Sequence, residues 1–192
     1  MARIALVDTA DFPPELRGRV ADPDDQVANG HLRVIAHLPR VAVAWLDLLG
    51  ELRSAGTLGP RLIEIVRLRI AYHNQCGHCM AVRFGDDVDE TLVCELNRPE
   101  TAEDLSDAER AALRYADSLS LDHMNIDDTD FDDLRRHFTD QQIVELSVNC
   151  AIFLGFGRVS RGWQVTDGLA DHYDGTTRME LSTDGIVLKG AH

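Results

Sequence analysis

From His31 to Phe153 apolar residues recur every three or four positions, in one segment after another, and each segment opens or closes on a proline, a glycine or a capping residue. That period is the signature of amphipathic α-helices, and a chain that repeats it so often has few options other than a helical bundle. Leu32, Ile35 and Leu38 begin the series and Pro39 interrupts it; Val43, Leu46, Leu49 and Leu52 form the next stripe, closed by Gly56. Gly59-Pro60 opens a strongly apolar helix from Leu62 to Tyr72. The Asn74-Gln75 step reads as a break, with Asn74 as the N-cap of a fresh helix from about Cys76 to Phe84. A shorter helix is expected over Asp89 to Leu96, and Ser106 with Glu109 forms a capping box that opens another to Leu121. Phe131, Leu134 and Phe138 share one face of a helix over Asp127 to Phe138, and Thr139 caps a long one from Gln141 to Phe153 or beyond.

The ends differ from the middle. Residues 1–29 read as an irregular arm, with Pro13-Pro14 and Asp22-Pro23-Asp24-Asp25. Residues 30–165 form the helical domain. Residues 166–192 are an extension in which Arg178 to Lys189 alternates around Asp184-Gly185, a β-hairpin pattern. Two strands alone are marginal in water, so the hairpin either docks on the domain or a neighbouring subunit, or stays a mobile tail.

The net charge of −14 disfavours nucleic acid as a partner, because phosphate binding needs clustered Lys and Arg. No apolar run approaches the roughly 20 residues of a membrane span, and the N-terminus lacks a signal-peptide core, so a cytoplasmic protein is expected. In a reducing compartment four cysteines in 192 residues do not make a disulfide scaffold, and a close pair is redox-active or metal-binding.

That pair is Cys76-Gly77-His78-Cys79. Cysteines three apart on a helix can exchange a disulfide, and a thiol at a helix start is biased toward thiolate. At about 100° per residue, Cys76, Cys79 and Arg83 fall within about 60° of one another, so Arg83 would add a cation to the cysteine face; His78 falls opposite Cys76. Two other readings stay open: a pair of buried core cysteines, and a metal site completed by His73 and His78. Cys94 and Cys150 are expected in the core. Glu64, inside Leu62-Ile63-Glu64-Ile65-Val66, either lies on a solvated face or pairs with Arg67 or Arg69, or else is a proton-transfer group facing the thiols. A faint echo links Ile63-Glu64-Ile65 to Val144-Glu145-Leu146, but twelve residues after Glu145 stands Gly157 rather than a cysteine.

The span Glu64 to Cys79, EIVRLRIAYHNQCGHC, resembles the signature of the carboxymuconolactone decarboxylase superfamily, in its alkylhydroperoxidase D-like branch. In that branch a Glu precedes the first Cys by twelve residues and a second Cys follows three later; both spacings hold here. The resemblance extends from about residue 30 to 165, through LSDAERAALRYADSL and DQQIVELSVN. It implies an all-α, oligomeric fold, commonly a trimer or hexamer, with no cofactor. The implied activity is thiol-dependent reduction of hydroperoxides with electrons from a dithiol donor such as a lipoyl-bearing protein. On this resemblance Cys79 is the cysteine oxidised by peroxide, Cys76 the one that resolves it, Glu64 the acid of a proton relay, and His78 a histidine found between the cysteines in some members. One position departs: four residues after the second Cys the pattern has His, and here stands Arg83, which cannot shuttle protons as a base. Two other functions remain compatible, a lactone decarboxylase of the same superfamily and a non-catalytic redox-sensing oligomer.

Overall fold

The computed structural model describes residues 1–20, 22–25, 29–84, 87–166 and the backbone of 177–182 and 185–190. Among these, the fold is all-α up to the C-terminal strands. The helices are α1 (Pro14–Arg17), α2 (Gly30–Ile35), α3 (Pro39–Ser54), α4 (Pro60–His73), α5 (Gly77–Ala81), α6 (Glu90–Glu95), α7 (Asp107–Leu121), α8 (Asp128–Arg135) and α9 (Asp140–Trp163). Strands β1 (Thr177–Ser182) and β2 (Gly185–Gly190) pair antiparallel, with Ser182 opposite Gly185 and Thr177 opposite Gly190. The turn of this hairpin lies outside the described residues.

The chain divides into two units, Met1–Gly56 with Ala81–Phe84 and Ser160–His192, and Thr57–Met80 with Gly85–Val159. In the first, Phe12, Leu16 and Val20 are buried with Ala36, Ala42 and Leu46. The arm expected to be irregular therefore supplies half of a small core: Pro14, at the first position of α1, starts the turn of helix that carries Leu16, and Phe12 and Val20 are buried on either side of it in sequence. Arg3 ties the N-terminus to the end of α9, its N–H donating to the Trp163 carbonyl at 2.8 Å.

In the second unit α4 packs on α7. Leu62, Ile65, Val66, Leu68 and Ile70 of α4 meet Ala112, Leu113 and Ala116 of α7 and Leu146 and Cys150 of α9 in one continuous core. Local chemistry sets the helix ends. Ser106 accepts from the Glu109 N–H while the Glu109 carboxylate returns to the Ser106 N–H at 2.8 Å. Asp127 with Asp130 makes the same box for α8, and Asp89 caps α6. α9 is 24 residues long and, by length and composition, apolar enough to cross a membrane, in contrast to the expectation that no apolar stretch is long enough. Its Ile143, Leu146 and Cys150 are buried in the core of this unit, which is what a central helix of a bundle requires.

Candidate functional site

The site is built where α4 ends. Asn74 is the C-cap of α4, not an N-cap: its φ of −73° is helical, and its side-chain amide donates to the Phe153 and Leu154 carbonyls at 3.0 and 3.4 Å. Gln75 then adopts the left-handed conformation, φ 50°. The Gln75 N–H donates to the Tyr72 carbonyl at 3.0 Å and the Cys76 N–H to the Ala71 carbonyl at 3.2 Å, the two bonds of a Schellman termination. Such a termination usually has glycine where Gln75 stands. The bend hands the cap of the next helix to Cys76, whose Sγ accepts from the Cys79 N–H at 3.3 Å.

Cys76 and Cys79 form a disulfide, with Cα atoms 5.2 Å apart. Their exposure is unequal. Cys76 is 1 % exposed, whereas Cys79 is only half-buried. α5 stops at Ala81, so it does not carry the face that was to align Arg83 with the cysteines. Arg83 belongs to the first unit, buried in extended-bridge geometry, with Nη1 donating to the Val82 carbonyl at 3.3 Å. Five residues also align few peptide dipoles, which weakens the helix-start argument for a Cys76 thiolate; the Cys79 N–H on Cys76 Sγ is what remains of it.

Glu64 is 3 % exposed and so not on a solvated face. It pairs with Arg67: Nε and Nη2 of the guanidinium donate to Oε2 and Oε1, each at 2.7 Å. The third corner, Nη1, donates to the Cys79 carbonyl at 2.5 Å. From the sequence Arg67 is only one of two candidate partners for Glu64. Arg69, the other, turns elsewhere, making a two-pronged pair with Asp117 at 2.7 and 3.0 Å. His73 Nε2 lies 2.6 Å from the same carboxylate, so this histidine is engaged with Asp117.

His78 is fully buried. Burial first, and the Arg67 charge second, push its pKa down to about 4, so it is neutral at physiological pH. Neutral imidazole has one N–H to give and one lone pair to receive, the form in which it can pass a proton on without storing charge. Cys150 is buried in the helical core as expected, and desolvation pushes its thiol up to about 12. Cys94 is exposed, contrary to expectation, because Leu92 and Leu96 take the inward side of α6. Among the described residues no three His, Cys, Asp or Glu side chains are grouped to hold a metal ion.

No family model matches the chain. An uncharacterized protein of Mycobacterium tuberculosis is 36 % identical over 96 residues, which take in 47 % of this chain and 33 % of that protein. The chain thus spans about a third of the length of the curated relatives it matches. Among solved structures, a peroxidase-related protein from Ralstonia eutropha JMP134 with an alkylhydroperoxidase AhpD core is similar at TM-score 0.70 and 20 % identity, over 86 % of this chain and 93 % of that one. A peroxidase-related protein from Silicibacter sp. TM1040 follows at TM-score 0.60 and 17 % identity, over 85 % and 93 %. The debrominase Bmp8 is similar at TM-score 0.66 and 21 % identity, over 84 % and 89 %; a cysteine-to-alanine variant of it has been crystallised with 2,3,4-tribromopyrrole. These likenesses establish an alkylhydroperoxidase D-like fold, in agreement with the resemblance carried by Glu64, Cys76 and Cys79.

Proposed function

We propose, from the alkylhydroperoxidase D-like fold of this chain, that it is a cytoplasmic thiol oxidoreductase that reduces hydroperoxides, or disulfides, through Cys79 and Cys76. The observation that carries this reading is the unequal disulfide. The two sulfurs are bonded, and of the two residues Cys76 is buried while Cys79 is only half-buried. An attacking thiol must meet its substrate, and a resolving thiol need only meet its neighbour.

In the cycle the Cys79 thiolate attacks a peroxide oxygen and the O–O bond breaks. The alcohol leaves after gaining a proton, and Cys79 becomes a sulfenic acid. The Cys76 sulfur then attacks Cys79, the S–O bond breaks, and water leaves with the disulfide formed. A dithiol donor, such as the dihydrolipoyl arm of a lipoyl protein, restores both thiols and is itself oxidised to a disulfide. Two protons must reach the departing oxygens. Glu64, linked to the Cys79 main chain through Arg67, and neutral His78 are the groups assigned to relay them. α5 ends at Ala81 and does not carry Arg83 on the face of the cysteines, and no step is assigned to Arg83. The working form is a homo-oligomer, a trimer or hexamer.

The test is consumption of a hydroperoxide by the full chain supplied with a reduced lipoyl donor, compared with Cys76→Ser and Cys79→Ser. Loss of turnover in both variants supports the reading. A wild-type rate retained by Cys79→Ser sinks it. A reversible disulfide without consumption identifies a redox sensor instead, and a cysteine-free variant that opens a carboxylated lactone identifies a decarboxylase. Because the fold is shared with a debrominase, a brominated pyrrole belongs among the acceptors assayed.

A further inference from the structure

Arg67 makes more of its buried position than an ion pair requires. It is 4 % exposed, one turn beyond Glu64 on α4. A guanidinium out of water persists only where its donors are used and its charge is matched. Glu64 matches the charge and occupies two corners of the fork. The third corner reaches across to the main chain of Cys79, twelve residues on. The Cys79 carbonyl belongs to a helix of five residues, too short to satisfy its own last carbonyls, and Arg67 supplies the donor the helix lacks. A flexible ammonium could neutralise Glu64, but only a planar, rigid fork holds two acceptors at fixed angles to each other. The same charge bears on His78, whose lowered pKa has Arg67 as its second cause.

We infer that Arg67 is a positioning residue of the thiol site: one guanidinium fixes the Glu64 carboxylate and the Cys79 main chain to each other and places a permanent positive charge beside Cys79. This rests on the reading of Cys76 and Cys79 as a working redox pair. Arg67 does not touch substrate; it acts through Cys79. When the disulfide is reduced the covalent link between Cys76 and Cys79 is gone, and the Arg67 bond to the Cys79 carbonyl is what keeps that residue registered against Glu64. Because Nη1, and not Glu64, meets the Cys79 main chain, the positive end of the ion pair lies nearer Cys79 than its negative end, which accounts for how Cys79, rather than the cap residue Cys76, can be the thiolate that attacks. An opposite charge close to an acid favours its ionised form. The sequence had assigned that cation to Arg83; the geometry gives it to Arg67.

The experiment uses the full chain in a Cys76→Ser background, with Cys79 alkylation by iodoacetamide followed by peptide mass spectrometry across pH. Arg67→Met combined with Glu64→Gln leaves no uncompensated buried charge, so folding is retained, as a thermal melt checks. Its Cys79 profile is expected to move to higher pH, with alkylation at pH 7 about tenfold slower. Arg67→Lys keeps the charge and loses the fork, and its profile is expected to stay near that of the parent. In the two-cysteine protein, however, Arg67→Lys should shift the equilibrium of the Cys76–Cys79 disulfide with glutathione by about tenfold, because Cys79 is no longer held in place. A folded double variant whose alkylation profile superimposes on the parent overturns the charge role. A lysine variant with an unchanged glutathione equilibrium overturns the positioning role. None of these readouts involves peroxide. A chain that never turns over peroxide but shows both shifts leaves this inference standing and defeats the peroxidase reading, and the converse pattern does the reverse.

Discussion

Burial of His78 makes folding stability depend on pH in a way one substitution can isolate. The imidazole titrates at its ordinary 6.5 in the unfolded chain and near 4 in the folded protein. Between those values the unfolded chain takes up a proton that the native state refuses, so acid favours unfolding. The sign follows: the folded pKa is lowered, stability is complete above about pH 6.5, and it drains away as pH falls toward 4. The full shift of about 2.5 units corresponds to about 3.4 kcal/mol, and between pH 7 and pH 5 the loss is about 2 kcal/mol. His78→Gln removes the titration while keeping polar atoms at the site. The assay is urea unfolding of oxidised wild-type protein and variant at both pH values, taking the difference of their unfolding free energies so that every other titrating group cancels. Wild type should lose about 2 kcal/mol relative to His78→Gln on going from pH 7 to pH 5. Two stability curves that run parallel across that interval would refute the claim that His78 is buried and neutral.

Three further outcomes follow from particular contacts. A Cβ at Gly157 would lie 2.4 Å from the Asn74 side-chain nitrogen, so Gly157→Ala should displace that side chain from the Phe153 and Leu154 carbonyls. The expected cost in urea unfolding is about 1–3 kcal/mol, largely recovered in Gly157→Ala with Asn74→Ala. Gln75→Gly should raise stability by up to about 1 kcal/mol, since glycine adopts the left-handed conformation of this position without strain; a fall in the thermal midpoint would count against the Schellman geometry. In native, reduced protein at pH 8, iodoacetamide should label exposed Cys94 readily and leave buried Cys150 untouched until urea unfolds the chain, as peptide mass spectrometry would record.

What the chain discloses in advance is what its near neighbours decide. Pro60 at the head of α4, the Ser106–Glu109 box of α7 and Asp89 ahead of α6 act within one turn, and all were readable from local spacing. The end of α5 was not. Gly85 and the acidic run after it looked like the natural stop, yet the helix ends at Ala81 and Arg83 enters bridge geometry, an outcome of packing rather than of any local signal. α9, whose end the local pattern leaves open beyond Phe153, runs on to Trp163 through Gly155, Gly157 and Gly162, residues of low helix propensity. Gly157 is there because Asn74 packs on it, a contact between residues 83 positions apart. The partner of Glu64, by contrast, was within local reach: Arg67 lies three residues on, on the same face of α4, whereas Arg69, five residues on, faces away and meets Asp117 of α7. The Cys79 carbonyl, as a main-chain atom, leaves no trace in residue type at all.

In the proposed cycle Cys79 is the sulfur that meets the oxidant and Cys76 the one that closes the bond. Treating reduced Cys76→Ser with one equivalent of hydroperoxide in the presence of dimedone, and locating the adduct by peptide mass spectrometry, tests this assignment. The sulfenic acid adduct is expected on Cys79, and in the two-cysteine protein a Cys76–Cys79 disulfide in its place. An adduct confined to Cys94, or none at Cys79 while the reverse variant Cys79→Ser is labelled at Cys76, would contradict it.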